Sequence, residues 1–316
     1  MRDLQQRLAS TGHPVTGDPP GRYGAATTDA VKSFQAARRL RVDGICGPQT
    51  WAALVESGFQ LGDRMLYLRT PHLRGDDIAE LQSRLNALGF DAGREDGIFG
   101  PQTARALTEF QRNCGVAVDG ILGPDTLAAL ERVRSLAAGS VASVRERDRL
   151  EREPVSLTRR RIYLAVGPGI EMLGIAARSA LSSHGAHVIT DLEGGDDARV
   201  IERANGFEAD LCLVLHPSDE PGPCRIHFFE SPRYRSETGS RLAHGLASAL
   251  TDVYRSVDVS GHAFPVLRET RMPTVVIETP VGDPDTAGRL AERAPLIARR
   301  IADGLRQAIE VAVHAR

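Results

Sequence analysis

The amino-acid sequence predicts an α + α/β protein: two small three-helix modules, then an α/β domain with a mostly parallel sheet flanked by helices. Two observations lead to this prediction. An internal repeat fills the first half of the chain, and short β-branched runs alternate with helical segments from Arg161 onward. The 316 residues suffice for two or three domains, and 41% apolar and 25% charged residues exclude a wholly disordered or collagen-like chain.

Charge and apolar content exclude several classes of partner. The 39 Lys and Arg residues nearly balance the 41 Asp and Glu residues, so the net charge is −2. This is too small to attract phosphate backbones or anionic lipid over the whole surface, and we expect no nucleic-acid partner. No stretch approaches the ~20 apolar residues of a membrane span. The 4 cysteines lack CxxC spacing, which disfavours a disulfide scaffold and a cysteine-type zinc site.

The start of the sequence bears on localisation. A helical pattern begins at Leu4, with no apolar signal segment before it, which favours a cytoplasmic location. A start codon further upstream would change this expectation to a secreted or wall-associated protein.

The repeat is the strongest internal signal. The segment Leu4–Leu54 recurs as Leu81–Leu130 with an offset of 76 or 77 residues. The longest match pairs VDGICGPQT with VDGILGPDT. So many matches in order, with one insertion or deletion, identify two copies of one module. We therefore expect the following boundaries: module 1 at 1–58, module 2 at 76–133, a charged linker at 134–160 and the α/β domain at 161–316.

Most of the repeated residues have a structural explanation. Apolar residues recur at helical spacing and are separated by Gly-rich turns, which predicts three helices per module. The Asp-Gly pairs fit tight turns whose glycine has positive φ. Thr50, Thr103 and Thr126 stand where a helix N-cap is expected.

The repeated pattern resembles the peptidoglycan-binding module found beside cell-wall hydrolases. Module 2 matches nearly throughout, whereas module 1 has Pro20-Gly21 in place of Asp96-Gly97. The resemblance implies that a glycan or a peptide stem binds in a shallow groove. Among the side chains of module 2, we select as candidate contacts Asp96, Phe99, Gln102 and Arg105.

The second half of the chain predicts a sheet with a site at one edge. Buried strands are expected near residues 162–166, 186–190, 210–216 and 273–278, with helices near 171–184, 196–208, 236–255 and 285–312. In such sheets, ligands bind at the carboxyl ends of the strands. His216 and Glu278 both stand at such ends and form the best active-site signal in the chain.

The same elements resemble the zinc-dependent N-acetylmuramoyl-L-alanine amidase family. The segment ADLCLVLH, which ends at His216, is similar to the family's A-D-L-F-I-S-I-H strand. The segment VLRETRMPTVVIE, which ends at Glu278, is similar to its V-L-R-x-T-x-M-P-A-V-L-V-E segment. The resemblance implies that His216 is a zinc ligand and that Glu278 is the catalytic carboxylate, a general base in an active enzyme.

The resemblance fails at the other two ligands. Pro168 occupies the position of the family's first zinc-binding histidine, and proline has no side-chain donor atom. Glu171 is the only nearby candidate for the second ligand, at a separation that lacks the family's intervening loop. Other residues that could complete a site are His184, His187, His227, His262 and Cys212, although each is more often a structural residue.

Three interpretations stay open. The favoured one is a non-catalytic, amidase-derived protein with no cofactor, which binds peptidoglycan, a muropeptide or a wall precursor, or docks on a protein of the precursor pathway. The second is a working zinc amidase that cleaves the lactyl-peptide amide. The third is a simple wall-binding adaptor.

Overall fold

The computed structural model describes residues 1–134, 156–194, 196–220, 222–232, 234–281 and 284–314. The chain forms two compact units, which meet in sequence between Glu153 and Pro154 and are described separately below. Most of the expected linker at 134–160 therefore lies outside the described residues. Of its final residues, Leu157 is buried in the core of the second unit.

Three short helices form module 1: α1 (Arg2–Ser10), α2 (Ala25–Ala37) and α3 (Pro48–Glu56). Their apolar faces close one small core, whose buried members are Leu4, Leu8, Ala30, Val31, Phe34, Leu40 and Leu54. Module 2 repeats the arrangement with α4 (Asp76–Ala87), α5 (Pro101–Cys114) and α6 (Pro124–Arg134). In module 2 the preceding segment also contributes, because Leu66 is fully buried and pairs with Leu122 across a β-bridge.

Each module contains two glutamine-centred clusters that join a helix to the following turn. In module 2, Gln82 Nε2 donates to Asp96 Oδ1 at 3.0 Å and to Thr103 Oγ1 at 3.1 Å, while its Oε1 accepts from Gly97 N at 2.9 Å. Gln111 repeats these contacts with the next turn, and Gln35 does so in module 1. The buried glutamines thus satisfy the polar groups of each turn.

The structure confirms the predicted Asp-Gly turns and corrects the predicted threonine N-caps. The turn glycines Gly44, Gly97 and Gly120 have φ of 73°, 71° and 72°, as expected for Asp-Gly turns. The prediction of threonine N-caps was wrong. Gly47 and Gly100 are the N-caps of α3 and α5, so Thr50 and Thr103 lie inside the first helical turn. Their hydroxyls instead accept a hydrogen bond from Gln35 and Gln82.

The second unit is built on a six-stranded sheet with the order β2-β1-β3-β6-β4-β5. Its elements follow in chain order: β1 (Arg161–Val166), α7 (Glu171–Ser183), β2 (His187–Asp191), α8 (Asp197–Gly206), β3 (Leu211–Ser218), β4 (Cys224–Phe229), α9 (Glu237–Leu250), β5 (Val257–His262), α10 (Pro265–Glu269), β6 (Thr274–Pro280) and α11 (Pro284–His314). All strand pairs are parallel except β4–β6. The predicted fold class is therefore confirmed, while β5 and α10 were not predicted.

The two faces of this sheet differ in character. Alternate strand residues such as Leu213 and Ile277 join one apolar core with α7, α9 and α11. The opposite face presents Tyr163, His216 and Glu278, by the same alternation. Only the shorter helices α8 and α10 pack together beside this second face in the described residues. The second face is therefore where polar side chains can form a site.

The helical layer is held by a close helix crossing. A Cβ atom built on Gly245 of α9 would lie 2.6 Å from Ala308 Cβ of α11, and one built on Gly304 would lie 2.9 Å from Gly245 O. Only glycine allows the two backbones to approach this closely. Every helix in the described part of the chain is too short or too polar to cross a lipid bilayer.

Candidate functional site

The structure brings the two predicted site residues together. His216 on β3 and Glu278 on β6 are register partners in adjacent parallel strands, so their side chains lie on the same face. The His216 ring is exposed, and its Nδ1 lies 2.7 Å from Pro217 O. This hydrogen bond places the proton on Nδ1 and leaves Nε2 as the free acceptor, the form of histidine that binds metals.

Glu278 is paired with two cationic or potentially cationic side chains of β4. Glu278 Oε2 lies 3.8 Å from Arg225 Nη1 and 3.5 Å from His227 Nε2. Arg225 is the register partner of Glu278 across the antiparallel pair, which explains their proximity. Arg225 Nη1 also lies 3.3 Å from Glu220 Oε2, so its charge is shared between two carboxylates. The site therefore holds Glu278 as an ion-paired carboxylate.

A polar row continues from Glu278 across β4 to β5. The His227 side chain is only 5% exposed, and its Nδ1 lies 3.0 Å from Ser260 Oγ. The His262 ring packs edge-on against His227, with 4.7 Å between ring centroids, and stacks on Phe264. His227 is thus fixed by Ser260 and His262, and its Nε2 is buried beside Glu278 without a hydrogen-bond partner among the residues that the structure describes.

The loop after β1 places its polar groups elsewhere. Gly167 N donates to Leu215 O at 2.8 Å, which holds the loop against β3. Pro168 follows and is exposed. The Glu171 carboxylate accepts from Gly169 N at 2.8 Å, and this backbone hydrogen bond holds the pKa of Glu171 below its ordinary value. Glu171 therefore closes its own loop at the start of α7.

These residues do not fit a zinc site of the kind that the resemblance implies. Such a site needs three protein donors around the metal. Here His216 offers one free nitrogen, Pro168 offers none, and the carboxylate of Glu171 is engaged by its own loop. Within the described ranges, no group of three or more His, Cys, Asp or Glu side chains is arranged to hold a metal ion.

The other side chains considered from sequence have structural environments. Cys212 is completely buried, and burial raises the pKa of its thiol to about 12. His187 stacks on Phe207 with 5.8 Å between ring centroids. Cys212 is thus an inert thiol in this structure.

The candidate contacts of module 2 have different environments. Phe99 is fully buried in the module core and has no surface to offer a ligand. Asp96 Oδ1 accepts from Gln82 and from Ile98 N, so this carboxylate serves the turn. Gln102 Nε2 donates to Asp91 Oδ1 at 3.0 Å on the surface, and Arg105 is exposed. Gln102 and Arg105 are therefore the two that remain accessible.

Sequence reasoning missed Arg225 and Ser260 and named His227 only among the alternative metal ligands. A signal for two of them exists in the β4 sequence CRIHFF, where Cys224, Ile226 and Phe228 belong to the apolar core. Period-two alternation places Arg225 and His227 on the other face, with Glu278. Ser260 needs the placement of β5 beside β4, which the local sequence does not specify.

Comparison with known proteins agrees with this architecture. Residues 1–54 and 74–130 match the family described as "Putative peptidoglycan binding domain". The N-acetylmuramoyl-L-alanine amidase CwlM of Mycobacterium tuberculosis is 33% identical over 310 residues, which cover 88% of this chain and 76% of that protein. The chain belongs to the N-acetylmuramoyl-L-alanine amidase family.

One further relative and one solved structure match shorter regions of this amidase-family chain. The N-acetylmuramoyl-L-alanine amidase CwlL of Bacillus licheniformis is 34% identical over 141 residues, which cover 38% of this chain and 39% of that protein. Among solved structures, the CwlD amidase from Clostridioides difficile in complex with the GerS lipoprotein covers 48% of this chain and 100% of its own, at 14% identity and a TM-score of 0.41. The chain is a peptidoglycan-binding member of this amidase family.

Proposed function

We propose that this amidase-family chain binds peptidoglycan or a muropeptide without cleaving it. The observation that carries the proposal is the state of the catalytic carboxylate and its surroundings. Glu278 is ion-paired with Arg225, and the position of the first metal ligand holds Pro168. Metal-assisted hydrolysis needs both a complete donor set and a carboxylate free to accept a proton from water. The structure supports binding better than hydrolysis.

The two modules supply the wall-binding part of the proposal, with boundaries at 1–58 and 76–133 and the amidase-like domain at 161–316. We assign the accessible side chains of Gln102 and Arg105 to ligand contact. Docking on a protein of the precursor pathway and a cytoplasmic location belong to the same proposal.

The test combines sedimentation with insoluble peptidoglycan and assay of released stem peptide. We expect the full chain to sediment with peptidoglycan, to release no peptide in the presence of added zinc, and to hold no stoichiometric zinc by elemental analysis. Release that is lost on addition of a chelator would contradict the proposal.

A working zinc amidase is the second candidate, and the geometry of His216 favours it. The Nδ1 contact with Pro217 O leaves Nε2 free for a metal. His216→Ala should then abolish both zinc binding and peptide release. His244→Ala is the matched control, because His244 is also exposed and its Nδ1 also contacts a backbone carbonyl, Ser240 O, at 2.7 Å.

A further inference from the structure

A cleft with a volume of about 800 Å³ lies at the β2 edge of the second unit. β2 is the first strand of the sheet order, so this cleft lies over β2 and β1, and the strands that carry His216 and Glu278 follow further along the sheet. Its floor is formed by Tyr163 and Asp191, and α8 forms one wall. The volume falls in the range of ~300–1,000 Å³ that is typical of small-molecule sites.

Asp191 organises the floor and is itself fully engaged. Its carboxylate accepts from the Tyr163 hydroxyl at 2.9 Å and from Glu193 N at 3.1 Å, and it contacts Arg203 at 3.1 Å and Arg199 at 3.4 Å. Burial opposes ionisation of Asp191, but these hydrogen bonds and the two guanidinium charges hold its pKa below the ordinary value. Asp191 therefore anchors the two arginines and is not the group that meets a ligand.

The wall formed by α8 presents an accessible cation. The Arg203 side chain is 53% exposed, and Nη1 makes its ion pair with Asp191. A guanidinium carries five N–H donors in a planar fork that matches a carboxylate. Arg199 is less available, because its Nη2 also contacts Glu193 Oε2 at 2.6 Å. Arg203 is thus the residue placed to receive an anion.

The remaining lining gives the cleft its selectivity. Ile189 of β2 is 40% exposed and supplies an apolar surface. Glu202, the neighbour of Arg203 on α8, is exposed and carries a negative charge that weakens the attraction of Arg203 for an anion. A ligand that fits has a carboxylate near Arg203 and an apolar group against Ile189.

We propose that this cleft binds a short peptide with a free carboxylate and a small apolar side chain. The source of such a peptide is the stem of peptidoglycan, and this identification rests on the proposed function. Binding places the carboxylate on Arg203 and the apolar side chain on Ile189, away from the carboxyl ends of β3 and β6.

The test is isothermal titration of the full chain with the dipeptide alanyl-glutamate and, separately, with its diamide. We expect the free acid to bind at least about tenfold more tightly than the diamide, because the diamide has no carboxylate to form an ion pair with Arg203. Arg203→Gln should weaken binding of the free acid by about tenfold. Arg203→Lys should lose less, because it keeps the charge.

Glu202→Gln provides a second test, in which binding should become tighter rather than weaker. Glu202 is exposed, so the substitution does not disturb folding. Removal of this negative charge should tighten binding of alanyl-glutamate, by about twofold to fivefold at low salt. Arg300→Gln is the matched control for Arg203→Gln, because Arg300 on α11 is also an ion-paired arginine, bound to Asp252 at 2.9 Å and outside the cleft.

Equal affinities of the wild-type, Arg203→Gln and Glu202→Gln proteins would overturn the proposal, as would the absence of binding at millimolar dipeptide. These outcomes are separate from failure of the proposed function. Sedimentation with insoluble peptidoglycan and the assay of peptide release do not depend on the cleft, and each can succeed while the titration fails.

Discussion

The first glutamine cluster of each module is centred on Gln5 in module 1 and on Gln82 in module 2. The two clusters hold the equivalent turn, but the nearby carboxylate stands at a different position in each module. In module 2, Asp96 follows the helix and accepts from Gln82 and from Ile98 N. In module 1, Pro20 takes that position, and Gln5 Nε2 donates to Arg22 O at 3.0 Å. The glutamine still accepts from the turn glycine, since Gly21 N lies 2.7 Å from Gln5 Oε1.

The carboxylate of module 1, Asp18, bonds to the start of α2 rather than to the turn. Asp18 Oδ2 accepts from Thr27 Oγ1 at 2.7 Å, from Thr27 N at 2.6 Å and from Gly24 N at 3.0 Å. The glutamine, the turn glycine and the threonine are thus the same in both modules, whereas the carboxylate is not at the same position. The module requires that the turn be satisfied, but it does not require one fixed carboxylate to do so.

The largest expected effect comes from the buried glutamine of module 2. Gln82 is 2% exposed, its Nε2 shares two N–H groups among three acceptors, and its Oε1 accepts one hydrogen bond. Gln82→Leu should lower the free energy of unfolding of module 2 by about 3 kcal/mol, because several buried polar groups lose their partner. Gln5→Leu should cost only about 1–2 kcal/mol, because Gln5 is half-buried and Asp18 holds Thr27 independently.

Hydrogen exchange followed by mass spectrometry of the full chain resolves each module separately and checks this order. Equal losses in the two variants would show that Asp18 does not compensate in module 1.

The next largest effect is expected when the Asp18 carboxylate is removed. Asp18→Ala should lower the urea midpoint of module 1, because Thr27 and Gly24 lose their acceptor. The chain has 1 Trp, Trp51 in α3, so its fluorescence reports module 1 alone. Asp29→Ala on the exposed side of α2 is the control and should leave the midpoint unchanged. An unchanged midpoint in Asp18→Ala would remove Asp18 from the cluster.

A carboxylate placed at residue 20, the position of Asp96 in module 2, should partly restore the stability lost in Asp18→Ala. Pro20→Asp in the Asp18→Ala background should restore part of the lost midpoint, because residue 20 corresponds to Asp96. Pro20→Asp alone should have little effect, since Gln5 Oε1 and Pro19 O already accept from the turn N–H groups. If the double variant is no more stable than Asp18→Ala, the two carboxylates are not interchangeable.

The smallest effect is a pH dependence confined to module 1. The hydroxyl and the N–H of Thr27 hold the pKa of Asp18 below its ordinary value. A depressed pKa in the folded state contributes stability above the unfolded pKa, and this contribution is lost as pH falls through the folded pKa. The Trp51 midpoint of the wild type should therefore fall between about pH 4 and pH 2 more steeply than that of Asp18→Ala. Parallel curves would contradict this assignment.

The local sequence predicted the elements of this molecule better than their contacts. The repeat and the alternating pattern predicted both modules and most strands, because Leu81, Leu85 and the runs before His216 and Glu278 carry strong periodicity. β5 was missed, because its sequence VDVSGH is short and half polar. The pairing of Glu278 with Arg225 and His227 depends on an antiparallel strand placed by long-range packing. Likewise, Phe99 could be a contact or a core residue until its burial was known.

The glycine crossing of α9 and α11 has a consequence for how this domain can change over evolutionary time. Because Gly245 and Gly304 let one backbone rest on the other, the covering layer tolerates almost no added volume. A single methyl group at either glycine would push α9 away from α11, and these two helices cover one face of the sheet. Evolution of this covering layer is therefore confined to substitutions that keep both glycines.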